Sequence, residues 1–260
     1  MTADRSYDRL RLATAELGER YGLDSRARDQ LIELIRAVTE HAHPPTSVRA
    51  PLEVLNQHVA DSLVALEQPA LQRFQSAVDI GSGAGFPGLA LAVARPQARF
   101  VLLESNARKC QFIRAAADRA GIGNVAVVQA RAEGWPDGLA RFDVATARAL
   151  ASLEVVAEYA APLLKVGGVL VAWRGRRDQA AEAVADRAAA VLGLDRHEVF
   201  RVGPFPGAAD RHLHLMSKVM DTPGRFPRRP GTALKRPLGG GRTGGPGRPG
   251  RDHASDRARR

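Results

Sequence analysis

Residues Ser76–Gly88 read Ser-Ala-Val-Asp-Ile-Gly-Ser-Gly-Ala-Gly-Phe-Pro-Gly, a carboxylate followed by three alternate glycines. Gly81, Gly83 and Gly85 let a backbone approach a ligand, because glycine tolerates positive φ and carries no Cβ to fill the space. Ala77, Val78 and Ile80 suit a buried strand, and the pattern from Phe86 to Arg95 suits a helix. The spacing therefore predicts a strand, a tight turn and a helix whose first N–H groups are free. A second carboxylate, Glu104, ends the next apolar run, Arg99–Glu104, where it can accept hydrogen bonds from both hydroxyls of a ribose.

The turn fits two ligands. Gly83-Ala-Gly85-Phe-Pro-Gly88 matches the dinucleotide fingerprint, and Asp79-Ile-Gly81-Ser-Gly83-Ala-Gly85 matches the acidic turn of S-adenosylmethionine sites. A fixed negative charge at Asp79 repels a pyrophosphate and suits the ammonium or sulfonium of an amino-acid-like cofactor. Glu104 serves either ligand. The two strands expected at the C-terminal end, after five parallel ones, favour S-adenosylmethionine. An NAD-dependent oxidoreductase stays as the rival, although no hydride-site acid stands out.

Around these residues, positions 1–68 read as a helical extension: Leu10, Leu17, Leu31, Ile32, Leu34, Ile35 and Val38 recur near helical spacing, with Asp24 or Ser25 as N-cap and Pro51 opening a later helix. From 69 to 220 strands alternate with helices: Val125–Gln129, Phe142–Ala147 and Val169–Trp173 are strands, and Asn106–Ala120, Leu153–Leu164 and Asp178–Leu192 are helices. Val199–Val202 and His212–Val219 close the series. This order predicts a mostly parallel, doubly wound α/β sheet of seven strands that binds its ligand at the carboxyl ends of the strands.

The chain has 260 residues, 45% of them apolar, enough for a sizeable core. One cysteine, Cys110, and no Cys/His cluster argue against disulfides and a metal site, and for a reducing, cytoplasmic setting. No apolar run approaches the roughly 20 residues that span a bilayer. The net charge of +10 is concentrated: residues 221–260 carry 11 Lys+Arg and 3 Asp+Glu, leaving 27 basic and 25 acidic side chains in the first 220. Gly and Pro make up 15 of those last 40 residues, so a disordered basic tail is expected. Such a tail either stays solvated or adds a salt-dependent contribution to RNA binding.

Further motifs extend the picture: Thr46-Ser-Val-Arg49, His58-Val-Ala-Asp61-Ser62, Phe86-Pro-Gly88, Leu103-Glu104-Ser105, Gln129-Ala-Arg-Ala-Glu133, Thr146-Ala-Arg148-Ala and Arg211-His-Leu213. With these, residues 20–220 resemble the small-subunit (16S) ribosomal RNA guanine-N7 methyltransferases, historically called glucose-inhibited division protein B. The resemblance implies a Rossmann-like class I methyltransferase fold, S-adenosylmethionine as cofactor, and 16S rRNA or the small ribosomal subunit particle as partner, with no membrane and no metal. It places Gly81 and Phe86 against the methionine and adenosine parts, Ala132 and Glu133 beside the adenine, and Arg148 near the cofactor's polar end. Asp79, Gly83 and Glu104 complete the expected cofactor set. Pro44-Pro45 and Arg174 depart from the usual Asn-Leu and Lys of the family.

Guanine N7 has an in-plane lone pair and no proton, so no general base is required and no catalytic residue is named. N7 lies in the deep, narrow major groove of A-form RNA, so the target base is expected to be unpaired or flipped out, stacked near Phe86 and Arg148. A non-catalytic RNA-binding ribosome assembly factor that kept the fold stays as a rival from the binding class, and plainer roles stand beside the named residues. Glu104 also suits a cap near Asn106, Arg148 a pair with Asp143 or Glu133, and His58 with Asp61 a clamp between the helical extension and the sheet. Cys110 and Trp173 suit core packing.

Overall fold

The computed structural model describes residues 2–240. The chain opens with α1 (Thr2–Tyr21) and α2 (Ser25–Thr39), the latter started by Asp24, whose side chain accepts from the Ala27 N–H. Pro51 then begins α3 (Pro51–Val54), which passes through a wide π-helical turn, Leu55–Ala60, into α4 (Asp61–Leu63). In that turn the Asp61 N–H reaches back to the Asn56 carbonyl, one residue further than in an α-helix.

The alternating part follows as β1 (Ser76–Ile80), α5 (Gly88–Ala94), β2 (Arg99–Glu104), α6 (Ala107–Arg119), β3 (Val125–Gln129), β4 (Phe142–Arg148), α7 (Leu153–Ala160), β5 (Leu164–Arg174), α8 (Gln179–Leu192), β6 (Leu194–Arg201) and β7 (His212–Lys218). The sheet order is β3-β2-β1-β4-β5-β7-β6. β1 to β5 pair in parallel, and β7 runs antiparallel between β5 and β6. The seven-stranded, mostly parallel sheet expected from the sequence is the one observed, and its order reverses between β1 and β4. Such a reversal opens a crevice at the carboxyl ends of those strands.

Strand alternation divides the core between the two faces. Ala77, Phe100, Leu102 and Val171 face α5 and α6, in a core that runs on through Leu31, Ile35 and Leu63 of the helical extension. Val78, Ile80, Leu103 and Leu170 face α7 and α8. The extension thus shares one apolar core with a sheet face, and that sharing fixes where α3 and α4 meet the strand ends.

The disorder expected from residue 221 onward does not extend to residues 221–240. Phe226 and Ala233 are buried, α9 (Thr232–Lys235) forms, and Arg228 grips Glu158 of α7 through Nε–Oε1 at 2.6 Å and Nη2–Oε2 at 2.5 Å. Composition misjudged this segment because the apolar core it joins and the carboxylate it pairs with belong to other elements, α7 and α8, rather than to itself. The remainder of that expectation, residues 241–260, lies outside the described residues. No described helix is long and apolar enough to cross a membrane, and no metal-ligand cluster occurs among the described residues.

Candidate functional site

At the carboxyl ends of the strands lies an open cavity of about 880 Å³, toward the upper end of the range for small-molecule sites. Its floor is the glycine turn. Gly81 has φ +70° and Gly83 φ +59°, in the left-handed region that other residues resist, which explains the glycines here. Glu104, at the end of β2, is buried and uses both oxygens: Oε2 accepts from the Gly83 N–H at 3.1 Å and Oε1 from the Asn106 N–H at 2.8 Å. It therefore ties the turn to the start of α6 while lining the cavity. Asn106 itself is the cap of α6, accepting from the N–H groups of Arg108 and Lys109.

Of the expected residues, Gly81, Gly83, Phe86, Glu104, Ala132, Glu133 and Arg148 all line this one cavity. Asp79 does not. It is 1% exposed, and its carboxylate turns under the turn to accept from Thr146 Oγ1 at 2.8 Å and the Gly88 N–H at 3.2 Å. Burial pushes its carboxyl above the usual range, while Thr146, Ser82 and Gly88 pull the other way. Asp79 does not face a ligand, so the direct repulsion or attraction expected of it is replaced by a different effect. Its carboxylate occupies the first N–H of α5, and the residue before, Pro87, has none. The helix end that would hold a pyrophosphate in a dinucleotide site is spent inside the protein.

The helical extension supplies the opposite wall. Arg148 donates to Asp61 Oδ2 at 2.9 Å and to the Gln57 carbonyl at 3.1 Å, and the Trp173 indole N–H donates to the Asp61 carbonyl at 2.6 Å. The expected pairing of Arg148 with Asp143 or Glu133 is thus replaced by one with Asp61, 87 residues away in sequence. Asp61 Oδ1 sits 3.4 Å from Arg211 Nε, within ion-pair range but without a hydrogen bond. His58 and Asp61 do clamp the extension onto the sheet, and both line the cavity as well.

His58 stacks on Phe86, ring centroids 5.1 Å apart at 20°, and contacts Thr46 Oγ1 through Nε2 at 2.8 Å. Burial, reinforced by the Arg148 charge, lowers its pKa to about 4, so the ring is neutral at pH 7. Phe86 is 5% exposed beneath it. The expected stacking platform for a base is therefore covered by His58. Cys110 is buried in the core as expected, donating to the Glu104 carbonyl.

Several groups of the wall escape a reading of the sequence, among them Lys109, Leu150, Tyr159, Arg176 and Leu234. Tyr159 and Leu150 look like core apolar positions, and Leu234 stands in the stretch whose composition spoke for disorder. Glu133 is held from that stretch too, its Oε1 accepting from the Gly231 N–H at 2.9 Å. Along the open cavity six cationic side chains, Lys109, Arg131, Arg148, Arg174, Arg176 and Arg211, outnumber the three carboxylates Asp61, Glu104 and Glu133. That excess favours a polyanion.

Residues 28–213 match the family model GidB, rRNA small subunit methyltransferase G. The chain belongs to this family. Among relatives named Ribosomal RNA small subunit methyltransferase G, the protein of Rubrobacter xylanophilus is 42% identical over 199 residues, covering 74% of this chain and 76% of that one. Those of Synechococcus elongatus and Syntrophomonas wolfei are 38% and 39% identical, covering 75% and 72% of this chain and 82% and 87% of theirs. Among solved structures, the apo form of the S-adenosylmethionine-dependent methyltransferase SibL superposes with a TM-score of 0.53 at 16% identity, over 75% of this chain and 70% of that one. The mitomycin 7-O-methyltransferase MmcR superposes with a TM-score of 0.52 at 16% identity, over 65% and 55%. These two share the fold. Family membership brings S-adenosylmethionine as the cofactor, and the residues present fit it: a positive-φ glycine floor, a buried carboxylate on the second strand, and a helix terminus closed to pyrophosphate.

Proposed function

We propose that this chain methylates N7 of a guanine in small-subunit (16S) ribosomal RNA, free or within the small-subunit particle, in the cytoplasm. The observation that carries this reading is one cavity lined by seven of the expected cofactor residues and by an excess of cations. The relatives' names supply the RNA class. Gly81, Gly83, Phe86, Glu104, Ala132, Glu133 and Arg148 hold the cofactor in this reading, with Glu104 toward the ribose and Ala132 with Glu133 toward the adenine. When bound, the cofactor supplies an electrophilic methyl group on a sulfonium.

The protein's contribution is then positional and electrostatic. N7 attacks with its own lone pair, so no side chain has to remove a proton. Arg148, fixed by Asp61 and Gln57, fits a positioning role toward the cofactor's polar end. The cations along the cavity attract phosphates and hold the strand while the base enters.

Transfer of labelled methyl from S-adenosylmethionine to total rRNA, followed by mapping of the modified nucleotide, tests the reading. Label at guanine N7 of 16S rRNA is the expected outcome. Label at another atom or in another RNA would refute the assigned acceptor, and RNA binding without transfer would favour an assembly factor instead.

A further inference from the structure

The family match ends at residue 213, yet the chain continues past β7 and returns to the cavity. Residues 224–239 cross the outer side of α7 and α8. Phe226 and Ala233 enter the core on that face, with Leu238 half-buried beside them. Arg228 provides a two-pronged bond to Glu158, a carboxylate only 1% exposed, and also donates to the Arg236 carbonyl, so it braces the segment internally. At the far end Arg187 of α8 donates to the Gly239 carbonyl at 2.8 Å. Between these anchors the Gly231 N–H meets Glu133, Pro230 lies against Gly134, and Leu234, 55% exposed, forms part of the cavity wall.

A buried carboxylate is costly unless paired, and Arg228 is the charged partner of Glu158 among the described residues. That makes the docking of residues 224–239 specific. An exposed leucine at the wall of a binding cavity, on a segment otherwise anchored by buried groups, offers apolar surface to a ligand.

We propose that residues 224–239 form a strap that completes the cofactor cavity at its adenine end, with Leu234 as apolar cover and Gly231 as the group that orients Glu133. The inference rests on the reading that Ala132 and Glu133 receive the adenine. Glu133 Oε1 accepts from the Gly231 N–H, and the carboxylate, with about four lone-pair sites in all, has acceptor capacity left for a 6-amino group. A 6-oxo base presents an acceptor at the same place and is repelled. Tyr159 reinforces the arrangement: burial and the Glu133 carboxylate push its phenol up to about 12, so it stays a neutral hydroxyl beside that carboxylate. The strap is thus a specificity element for the base of the cofactor.

Titration calorimetry of the full-length protein with S-adenosylhomocysteine and with its 6-oxo analogue, S-inosylhomocysteine, tests this. Leu234→Ser is expected to weaken S-adenosylhomocysteine about fivefold with the melting temperature unchanged, since a mostly exposed side chain contributes little to the fold. The pair Arg228→Gln with Glu158→Gln removes both charges together, loosens the strap without stranding a buried carboxylate, and should lower the preference for the 6-amino ligand about tenfold. Affinities and preference that stay within about twofold in both variants overturn the strap while the cofactor reading stands. A full-length protein that fails to bind S-adenosylhomocysteine at all overturns both.

Discussion

Replacing Arg148 by alanine separates two roles that its position combines. The side chain neutralises Asp61, whose own side chain is 8% exposed, and it lines the cavity. Arg148→Ala leaves that buried carboxylate with Arg211, 3.4 Å away, as its remaining cation, and is expected to lower stability by less than the roughly 3–5 kcal/mol of a fully stranded charge. Adding Asp61→Asn removes that charge, so the double variant should recover most of the melting temperature. Methyl transfer should stay low in both, by about 100-fold, if Arg148 positions the reacting groups. Recovery of transfer together with stability in the double variant would reduce Arg148 to a structural clamp. Glu104 invites a cleaner test because both its oxygens receive N–H groups. Glu104→Gln turns an amide donor toward one of them and removes the charge, and calorimetry should read at least about a tenfold loss of S-adenosylhomocysteine affinity.

At the scale of elements, the π-helical turn Leu55–Ala60 brings His58 to the cavity, and its environment makes the extension sensitive to acid. His58 is lowered to about 4 by burial and by Arg148, and His214 to about 4 by burial and by His197, with Glu182 opposing and Arg174 and Arg177 adding to the shift. A histidine whose folded pKa lies below its unfolded value of about 6.5 binds more protons when unfolded. Its contribution is present above that value and is lost as pH falls from about 6.5 to about 4. Thermal melts across this window should show a falling melting temperature, and His58→Asn should flatten part of the slope; a parallel curve would show that folding leaves the His58 pKa unshifted. The strands were readable from the sequence because apolar runs bounded by polar residues set them: β2 and β3 fall on the expected residues. The direction of Asp79 was misread, although period-two alternation sends Val78 and Ile80 to one face and so puts Asp79 with Ala77 on the other. What the sequence hides is the π turn, which breaks helical periodicity by a single residue, and the Asp61 to Arg148 pair, which only the packing of the extension against the sheet brings together.

For the whole molecule, the basic C-terminal stretch divides into two parts with different physics. Residues 221–240 hold five basic side chains, of which Arg228 is consumed by Glu158 and shielded from RNA. Residues 241–260 add six arginines and two aspartates. Ending the chain after Gly240 therefore leaves the strap and its contacts in place while removing a net charge of +4. Each phosphate neutralised on a single strand contributes a slope of about −0.7 to log K against log salt, so six arginines can account for a change of up to about 4. The shortened chain should bind S-adenosylhomocysteine like the full chain and bind rRNA more weakly at low salt, with a visibly flatter salt dependence. Its methyl transfer at saturating RNA should be preserved, because the cavity and its cations come from residues before 240. An unchanged slope would mean that the six arginines do not touch phosphate and that the cations before 240 carry the electrostatic attraction alone.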